Sequence, residues 1–570
     1  MSKILYITYR NKEIPHDSSE KVKQITSELN PDNIHANPSY CSQNGRTICS
    51  LSNPLSVIKT EGTNVLLGNI LNKEKNWTNP LKYFPDGNYA IFRSNNELTE
   101  VFTDKLSSRT IWYYYDDEIL ICATSQRAII KFLSNFEFDE RVIPWIISTG
   151  SLGPLYSWDS RIKRIPPATS LILKISDWKL ELQPVNYDLG ENLKSMDLSE
   201  KIYNAVDNQN LDSNKWALSL SGGYDSRLIL LLLNKFKSKK EKIRTITWGI
   251  KNTEEEKGSD ANIAKNLALN YQTDHSFFST KISHEPIDLL LERFLKNGEG
   301  RIDHISSYMN GFDIWKYLFE NNYEGILRGN QLFSGLKPAS ELDIRRFMGL
   351  SLISDFENLK KLNFLNSLEQ FIPEELERKT AENLHQYRDR ILADYRIPII
   401  QAALSDLKFP YVEQYDPLLA NSIVEEIRNY PDKFRNEKKI IKKILISLGN
   451  QEEFAKVGAT RPKEELFKQE NMTEEILKEL NSKDAENIFP VTFLNEVITT
   501  LKKPTTSQSK TPKQWIKKYL SKALPLRIKK MLSKAFQAST LDISTLGFRL
   551  MVIIKMIRIL QEDSVRNKSH

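Results

Sequence analysis

The sequence predicts a mixed α/β and α+β protein in three parts. These are a β-rich amino-terminal part (1–190), a parallel-sheet α/β unit (191–490) and a basic helical extension (491–570). Three observations carry this. Residues 1–190 alternate short β-rich runs with Pro, Gly, Asn and Asp clusters. From about Leu198 the order becomes strand, glycine turn, long helix and strand, the pattern of a parallel sheet with crossover helices. Residues 501–570 then carry 16 Lys+Arg against three acids, a net of +13, while residues 1–500 sum to −6.

In order, KILYITYR, NVLLGNIL, YAIFRS, TIWYYYDD, EILICATS and SLILKI read as strands of a largely antiparallel part, with a helix near Gln126–Leu133. WALSLS is a buried strand, SGG a turn, DSRLILLLLNKFKSKK a helix, IRTITWGI the next strand and GSDANIAKNLALN another helix. Residues 340–490 are mainly helical by periodicity, with breaks at Pro398, Pro410, Pro417, Pro431 and Pro462. The polar KKPTTSQSKTP (502–512) reads as a linker. There is no internal repeat.

With 570 residues, 40% of them hydrophobic, the chain is long enough for several cores, which excludes wholesale disorder and collagen. Cys41, Cys49 and Cys122 show no C-x-x-C spacing, so neither a structural zinc nor a disulfide framework is expected, and a reducing, cytoplasmic location fits. MSKILYITYRNKEIPHD contains no secretory signal. No uncharged apolar run approaches the roughly 18–20 residues that span a bilayer.

The most informative segment is Ser219-Leu220-Ser221-Gly222-Gly223-Tyr224-Asp225-Ser226-Arg227. A strand ends on Ser221, two glycines allow close backbone approach, and a helix starts near Asp225. Backbone N–H groups and a helix N-terminus suit a phosphate, and Ser hydroxyls add donors. A carboxylate beside phosphate makes sense chiefly as a Mg²⁺ ligand. The Lys of a Walker loop is missing.

This segment resembles the pyrophosphate-binding loop of the N-type ATP pyrophosphatases, and the whole order resembles the asparagine synthetase family, which includes β-lactam synthetases and lasso-peptide cyclases. Supporting elements are Phe102-Thr103-Asp104-Lys105, Thr110-Ile111-Trp112-Tyr113-Tyr114, Ile121-Cys122-Ala123-Thr124-Ser125, Ile162–Thr169, Asp406-Leu407-Lys408-Phe409-Pro410-Tyr411 and Arg461-Pro462-Lys463. The resemblance covers residues 1–470. It implies an Ntn-hydrolase-like, class II amidotransferase-like first domain and an adenine nucleotide alpha hydrolase-like ATP pyrophosphatase second domain. It also implies an ATP- and Mg²⁺-dependent ligase that joins a small-molecule or peptide carboxylate to an amine or ammonia through an acyl-adenylate. ATP would contact Ser219–Gly223, Asp225, Ser226, Trp248, Arg328 and Gly329. Mg²⁺ would rest on Asp225 and Asn330, and Lys463 and Asp406 would be catalytic.

Departures qualify this expectation. The family's nucleophilic Cys is Ser2, and Leu67-Gly68-Asn69-Ile70-Leu71-Asn72 lacks both the oxyanion-hole Asn and the substrate-anchoring Glu of its glutamine-binding run, so glutaminase activity is not expected. Ile326–Gly335 replaces the family's Asp-Glu pair with Asn330-Gln331, which raises the alternative of an inactive scaffold or binding protein. Asp260 stands at a family-like acidic position, or the helix there is N-capped by Ser259 or Asp260, and His275 is family-like or structural.

In the extension, PKQWIKKYLSKALPLRIKKMLSKAFQ and LGFRLMVIIKMIRIL set apolar residues among cations. An anionic membrane surface reached through 512–560 is one expectation, and packing on the protein's own core or a partner is another. No nucleic-acid module accompanies the charge, so nucleic acid is not an expected partner, while a homo-oligomer is compatible with the sequence.

Overall fold

The computed structural model describes residues 3–71, 77–187, 196–209, 211–236, 242–330, 337–450, 452–458, 463–503 and 540–565, with only the backbone of Lys463 and Glu464. Ser2, Gln331–Gly335, Arg461-Pro462 and the 512–539 part of the proposed membrane segment lie outside these residues.

Twelve strands build two antiparallel sheets: β1 (Ile4–Tyr9), β2 (Tyr40–Asn44), β3 (Thr47–Leu51), β4 (Lys59–Glu61), β5 (Asn64–Ile70), β6 (Gly87–Ser94), β7 (Leu98–Thr103), β8 (Trp112–Tyr115), β9 (Ile119–Ala123), β10 (Lys163–Arg164), β11 (Thr169–Lys174) and β12 (Lys179–Pro184). Their orders are β10-β8-β9-β1-β3-β2 and β12-β11-β7-β6-β5-β4. The two-residue period decides the layering. Ile4 and Tyr6 of β1 meet Ala90 and Phe92 of β6 between the sheets. Leu5 and Ile7 face Val22, Ile25 and Ile129 from flanking helices.

Five parallel strands follow: β13 (Trp216–Ser219), β14 (Arg244–Gly249), β15 (Asp274–Ser279), β16 (Gly325–Leu327) and β17 (Glu413–Tyr415), in the order β15-β14-β13-β16-β17. Both faces of β13 are buried, Trp216 and Leu218 on one side and Ala217 on the other, as expected where helices cover both faces. The chain moves outward from β13 to β15 and then returns to β16 on the other side of β13. The order therefore reverses between β13 and β16, and a crevice opens there at the carboxyl ends.

Pro398 does not break its helix. A helical run continues through Leu384–Ile391, a π-helical Leu392–Gln401 and Ala402–Asp406. The wider turn relieves the steric clash and tolerates the missing N–H of an internal proline.

The apolar stretch 546–560, for which a membrane surface and packing on the protein's own core were both expected, is core. It belongs to the helix Ile543–Val565, which packs on Gln126–Leu133, Val142–Thr149, Ile287–Gly298, Glu470–Leu480 and Val491–Lys502. Its cations are matched: Arg549 with Asp303, Lys555 with Glu475 and Glu479, and Arg558 with Glu479 and Asp484. Among the described residues, no helix is long and apolar enough to cross a membrane.

Near its end, Asp563 receives Arg127 Nε at 2.6 Å and Lys131 Nζ at 3.1 Å, all three side chains being at most 5% exposed. Burial alone would push the Asp563 carboxyl up, but Arg127 and Lys131 outweigh it and hold it below its usual value. A depressed carboxyl stabilises the fold above its unfolded pKa, and that contribution is lost as pH falls through the folded value. Arg127→Met is expected to cost about 3 kcal/mol at neutral pH, because it removes the bidentate partner of a buried carboxylate and leaves Asp563 with Lys131 alone. The deficit should shrink on acidification as Asp563 protonates. Denaturant melts of both proteins at pH 7 and near pH 4 check this, and a pH-independent deficit refutes it.

Candidate functional site

The site is assembled at the carboxyl ends of β13, β14, β16 and β17. β13 hands its backbone to Leu220, whose N–H donates to Ile246 O (2.9 Å) and whose carbonyl accepts from Thr247 Oγ1 (2.7 Å). The turn is braced by its own serines. Ser221 Oγ and Ser226 Oγ lie 2.9 Å apart, the Ser221 N–H donates to Ser226 Oγ (3.0 Å), and the Gly223 N–H donates to Ser221 Oγ (3.2 Å). The helix Asp225–Phe236 then begins, and its first-turn N–H groups have no acceptor within the helix.

The two glycines serve different purposes. A Cβ on Gly222 would sit 2.7 Å from Ala455 Cβ and 3.0 Å from Ile263 Cβ, so this glycine admits protein rather than ligand. Gly223 would meet only Ser221 Oγ, at 3.2 Å, and is the open position. The chain lying on Gly222 is the 450–457 segment. Arg227, fully buried, donates to Asn450 Oδ1 and the carbonyls of Glu452, Glu453 and Gly222, with its guanidinium 4.1 Å from the Phe454 ring centre. Phe454 stacks on Tyr224 at 4.2 Å, and the Ala455 N–H donates to Gly222 O. Ser259, not Asp260, caps the helix Asp260–Asn270; Asp260 Oδ1 instead accepts the Gly222 N–H at 3.0 Å.

Asp225 is largely buried. Lys438 Nζ donates to its Oδ2 at 2.6 Å, whereas Oδ1 has no partner among the described residues. Burial pushes this carboxyl up, and Lys438 opposes the shift. Glu437 and Lys438 both lie in the left-handed region, φ 55° and 58°, an uncommon pairing for two residues with side chains. Lys442 stands 5.0 Å from the Tyr224 ring centre.

From the other side of the crevice, Gly329 presses on the loop: a Cβ there would lie 2.6 Å from Ser226 N and 2.8 Å from Asp225 C. Its neighbour Arg328 donates from Nη1 to Gln414 Oε1 (2.9 Å). Asn330 hydrogen-bonds to Asp416 through side chain and backbone, so its amide is engaged with a protein carboxylate. Among the described residues, no group of three His, Cys, Asp or Glu could hold a metal. A Mg²⁺ ion fits only as one brought with phosphates, with the free Oδ1 of Asp225 as its protein ligand.

Of the remaining expected residues, Trp248, next to last in β14, packs edge-on against Trp315 (5.6 Å), one residue beyond the Thr247 that clasps the loop. Lys463 begins the helix Lys463–Phe467. Asp406 does not join the loop; it is buried in an ion pair with Arg301, which also donates to Thr110 Oγ1. His275 is structural, with Nδ1 2.9 Å from Thr245 Oγ1. Lys408 is buried, donates to Leu404 O and faces the Trp315 ring at 5.5 Å; burial, then Arg328, lowers its pKa well below the usual lysine value. Lys438, Lys442 and the 450–455 segment were not singled out in the sequence. Their only signal is a run of lysines that a solvated helix face also shows.

The amino-terminal sheets meet this unit through Phe409, which inserts into the core between the two sheets. Arg109 pairs with Glu413 and lies 4.3 Å from the Phe409 ring centre. A Cβ on Gly68, in the run compared with a glutamine-binding segment, would meet Arg109 Nη2 at 2.6 Å.

No curated protein matches this chain. Residues 197–292, which hold the loop, β14, β15 and the helices between them, match the family model for asparagine synthase.

Proposed function

We propose that the chain is an ATP-dependent amide ligase of the asparagine synthetase type. The observation that carries this is a serine-braced glycine loop leading into a helix N-terminus at the strand-order reversal, with a largely buried carboxylate, one oxygen of which has no partner among the described residues. It is supported by the family match over the same residues. The phosphates of ATP would rest on the open Gly223 side and the first-turn N–H groups. Lys438, released from Asp225, would take one phosphate oxygen. Asp225 would hold Mg²⁺, and a metal there would supply neutralisation of the charge on the departing pyrophosphate. A carboxylate oxygen attacks the α-phosphorus, the bond to the β-phosphate oxygen breaks, and acyl-adenylate and pyrophosphate form. An amine nitrogen then attacks the acyl carbon and loses a proton, and AMP leaves. Lys463 is proposed to stabilise charge in these steps. Since Ser2, Leu67 and Asn69 stand where the family's glutaminase residues would be, the amine is free ammonia or part of the substrate.

A second reading, an inactive nucleotide-binding or scaffolding protein, is favoured by the Lys438–Asp225 ion pair, which places an ammonium beside the carboxylate that would hold Mg²⁺. Incubation with Mg-ATP and a panel of carboxylates separates the two. Matched release of AMP and pyrophosphate is expected, falling about 100- to 1,000-fold in Asp225→Ala. No nucleotide binding by calorimetry at millimolar ATP rejects the ligase. ATP binding without pyrophosphate release from any acid selects the second reading.

A further inference from the structure

The parallel sheet ends on one side at β15, which uses only one of its two edges. The Asp274 N–H donates to Ile243 O (2.9 Å) and the Thr280 N–H to Gly249 O (2.7 Å), so the even-numbered residues between them face β14. His275 and Phe277 turn their N–H and C=O groups outward, and Ser279 its N–H, where none has a partner among the described residues. Phe278 packs edge-on against Tyr317 (5.2 Å) and joins the core. Phe277, on the opposite face of the strand, is half-buried and belongs to none of the apolar clusters of the described residues. The other edges are guarded. β12 carries Lys179, Glu181 and Pro184, β2 is polar from Ser42 to Asn44, β17 is buried, and β4 and β10 have three and two residues.

We propose that β15 pairs antiparallel with β15 of a second copy of this chain, joining the two five-stranded sheets across a two-fold axis at Phe277. Of the registers open to an antiparallel pair, the one centred on Phe277 uses all three outward residues. Phe277 then faces Phe277 of the second copy, and His275 faces its Ser279, each pair exchanging main-chain bonds. The axis covers the aromatic ring that the chain's own core leaves out, and cross-strand aromatic pairs are favourable. His275 Nε2 and Ser279 Oγ, neither with a partner among the described residues, come to opposite sides of one joint. Charge selects the direction. Exposed Asp274 opens the strand and exposed Lys281 follows its end, so antiparallel pairing sets unlike charges together where parallel pairing would set like on like. The inference does not depend on the ligase reading.

Sedimentation equilibrium of the full chain at micromolar concentration is expected to give the mass of two chains. Phe277→Lys, which sets two ammonium groups at the axis, should melt like the native chain and weaken the dimer at least tenfold, on the order of 1–2 kcal/mol for a lost aromatic pair and a like-charge contact. Cysteine variants read the register. Hydrogen-bonded residues facing each other stand about 5.5 Å apart at Cα, within disulfide reach. Under a mild oxidant Phe277→Cys should therefore give a covalent dimer. Ser276→Cys, which faces Phe278 of the second copy, should not, nor should the native chain, whose Cys49 and Cys122 are buried and Cys41 half-buried. A native chain that stays monomeric overturns the proposal, as does a dimer that Phe277→Lys leaves intact. If Phe277→Lys fails to fold, the cysteine variants decide: cross-linking through Phe277→Cys alone supports the joint, and its absence, or cross-linking through Ser276→Cys instead, overturns it.

Discussion

A chain that ends at residue 503 will not accumulate as folded protein, whereas one whose residues 504–539 are replaced by a Gly/Ser linker of equal length will. The helix Ile543–Val565 is the reason. Leu546, Phe548, Leu550, Met551, Val552, Ile553, Ile554, Met556, Ile557 and Leu560 are each at most 5% exposed. Burying each is worth about 1.5–3 kcal/mol, so their summed contribution is on the order of the 5–15 kcal/mol net stability of a domain or larger. Removing the helix also takes Arg549 from Asp303 and Lys555 from Glu475 and Glu479, breaking buried ion pairs. Soluble yield and cooperative thermal melting provide the measurement, and a 503-residue chain melting like the full-length protein sinks the claim. The linker chain is also the right control for the membrane expectation, now confined to 512–539. Full-length protein should float with anionic vesicles and the linker chain should not; equal behaviour rejects that expectation.

The same helix shows where sequence reading stops. LGFRLMVIIKMIRIL carries Arg549, Lys555 and Arg558 at spacings that look like interruptions of an apolar face. Each is cancelled by an acid between 74 and 246 residues away, which no local pattern reveals. A helix apolar nearly all round is a core helix once its cations are paired. By contrast, β1, β5, β6, β13, β14 and the helices at Gln126–Leu133 and Asp225–Phe236 lie within a few residues of expectation, since alternation and turn residues are local signals. The loop was legible for the same reason: its serines, glycines and Asp225 are contiguous. Its companions were not. Lys438 reaches Asp225 across 213 residues, and Arg227 holds Glu453 across 226. Asp406 was placed at the site by motif resemblance, and the structure holds it in a buried pair with Arg301, whose other nitrogen reaches Thr110 of the amino-terminal part.

Gly329→Ala will impair the site more than any substitution of equal size outside it. The added methyl would lie 2.6 Å from Ser226 N, 2.8 Å from Asp225 C and 2.9 Å from Asp225 Cβ. The first two are backbone atoms at the start of a helix, so no rotamer change relieves the contact. Either the end of β16 or the loop must move, at roughly 1–3 kcal/mol for overpacking. Both carry site residues: Arg328 and Asn330 on one side, Asp225 and the first-turn N–H groups on the other. A displacement near 1 Å in positioning groups lowers rates about 100-fold, and that is the expected loss of pyrophosphate release, with a smaller fall in ATP affinity. Gly222→Ala acts differently, since its methyl meets the Cβ atoms of Ala455 and Ile263, and it should chiefly loosen the 450–457 segment. Gly458→Ala adds the same methyl where nothing among the described residues lies within 4 Å and serves as the control. Calorimetric ATP affinity and pyrophosphate release, measured side by side, decide the matter. If Gly329→Ala and Gly458→Ala cannot be distinguished, the contact between β16 and the loop does not position the site.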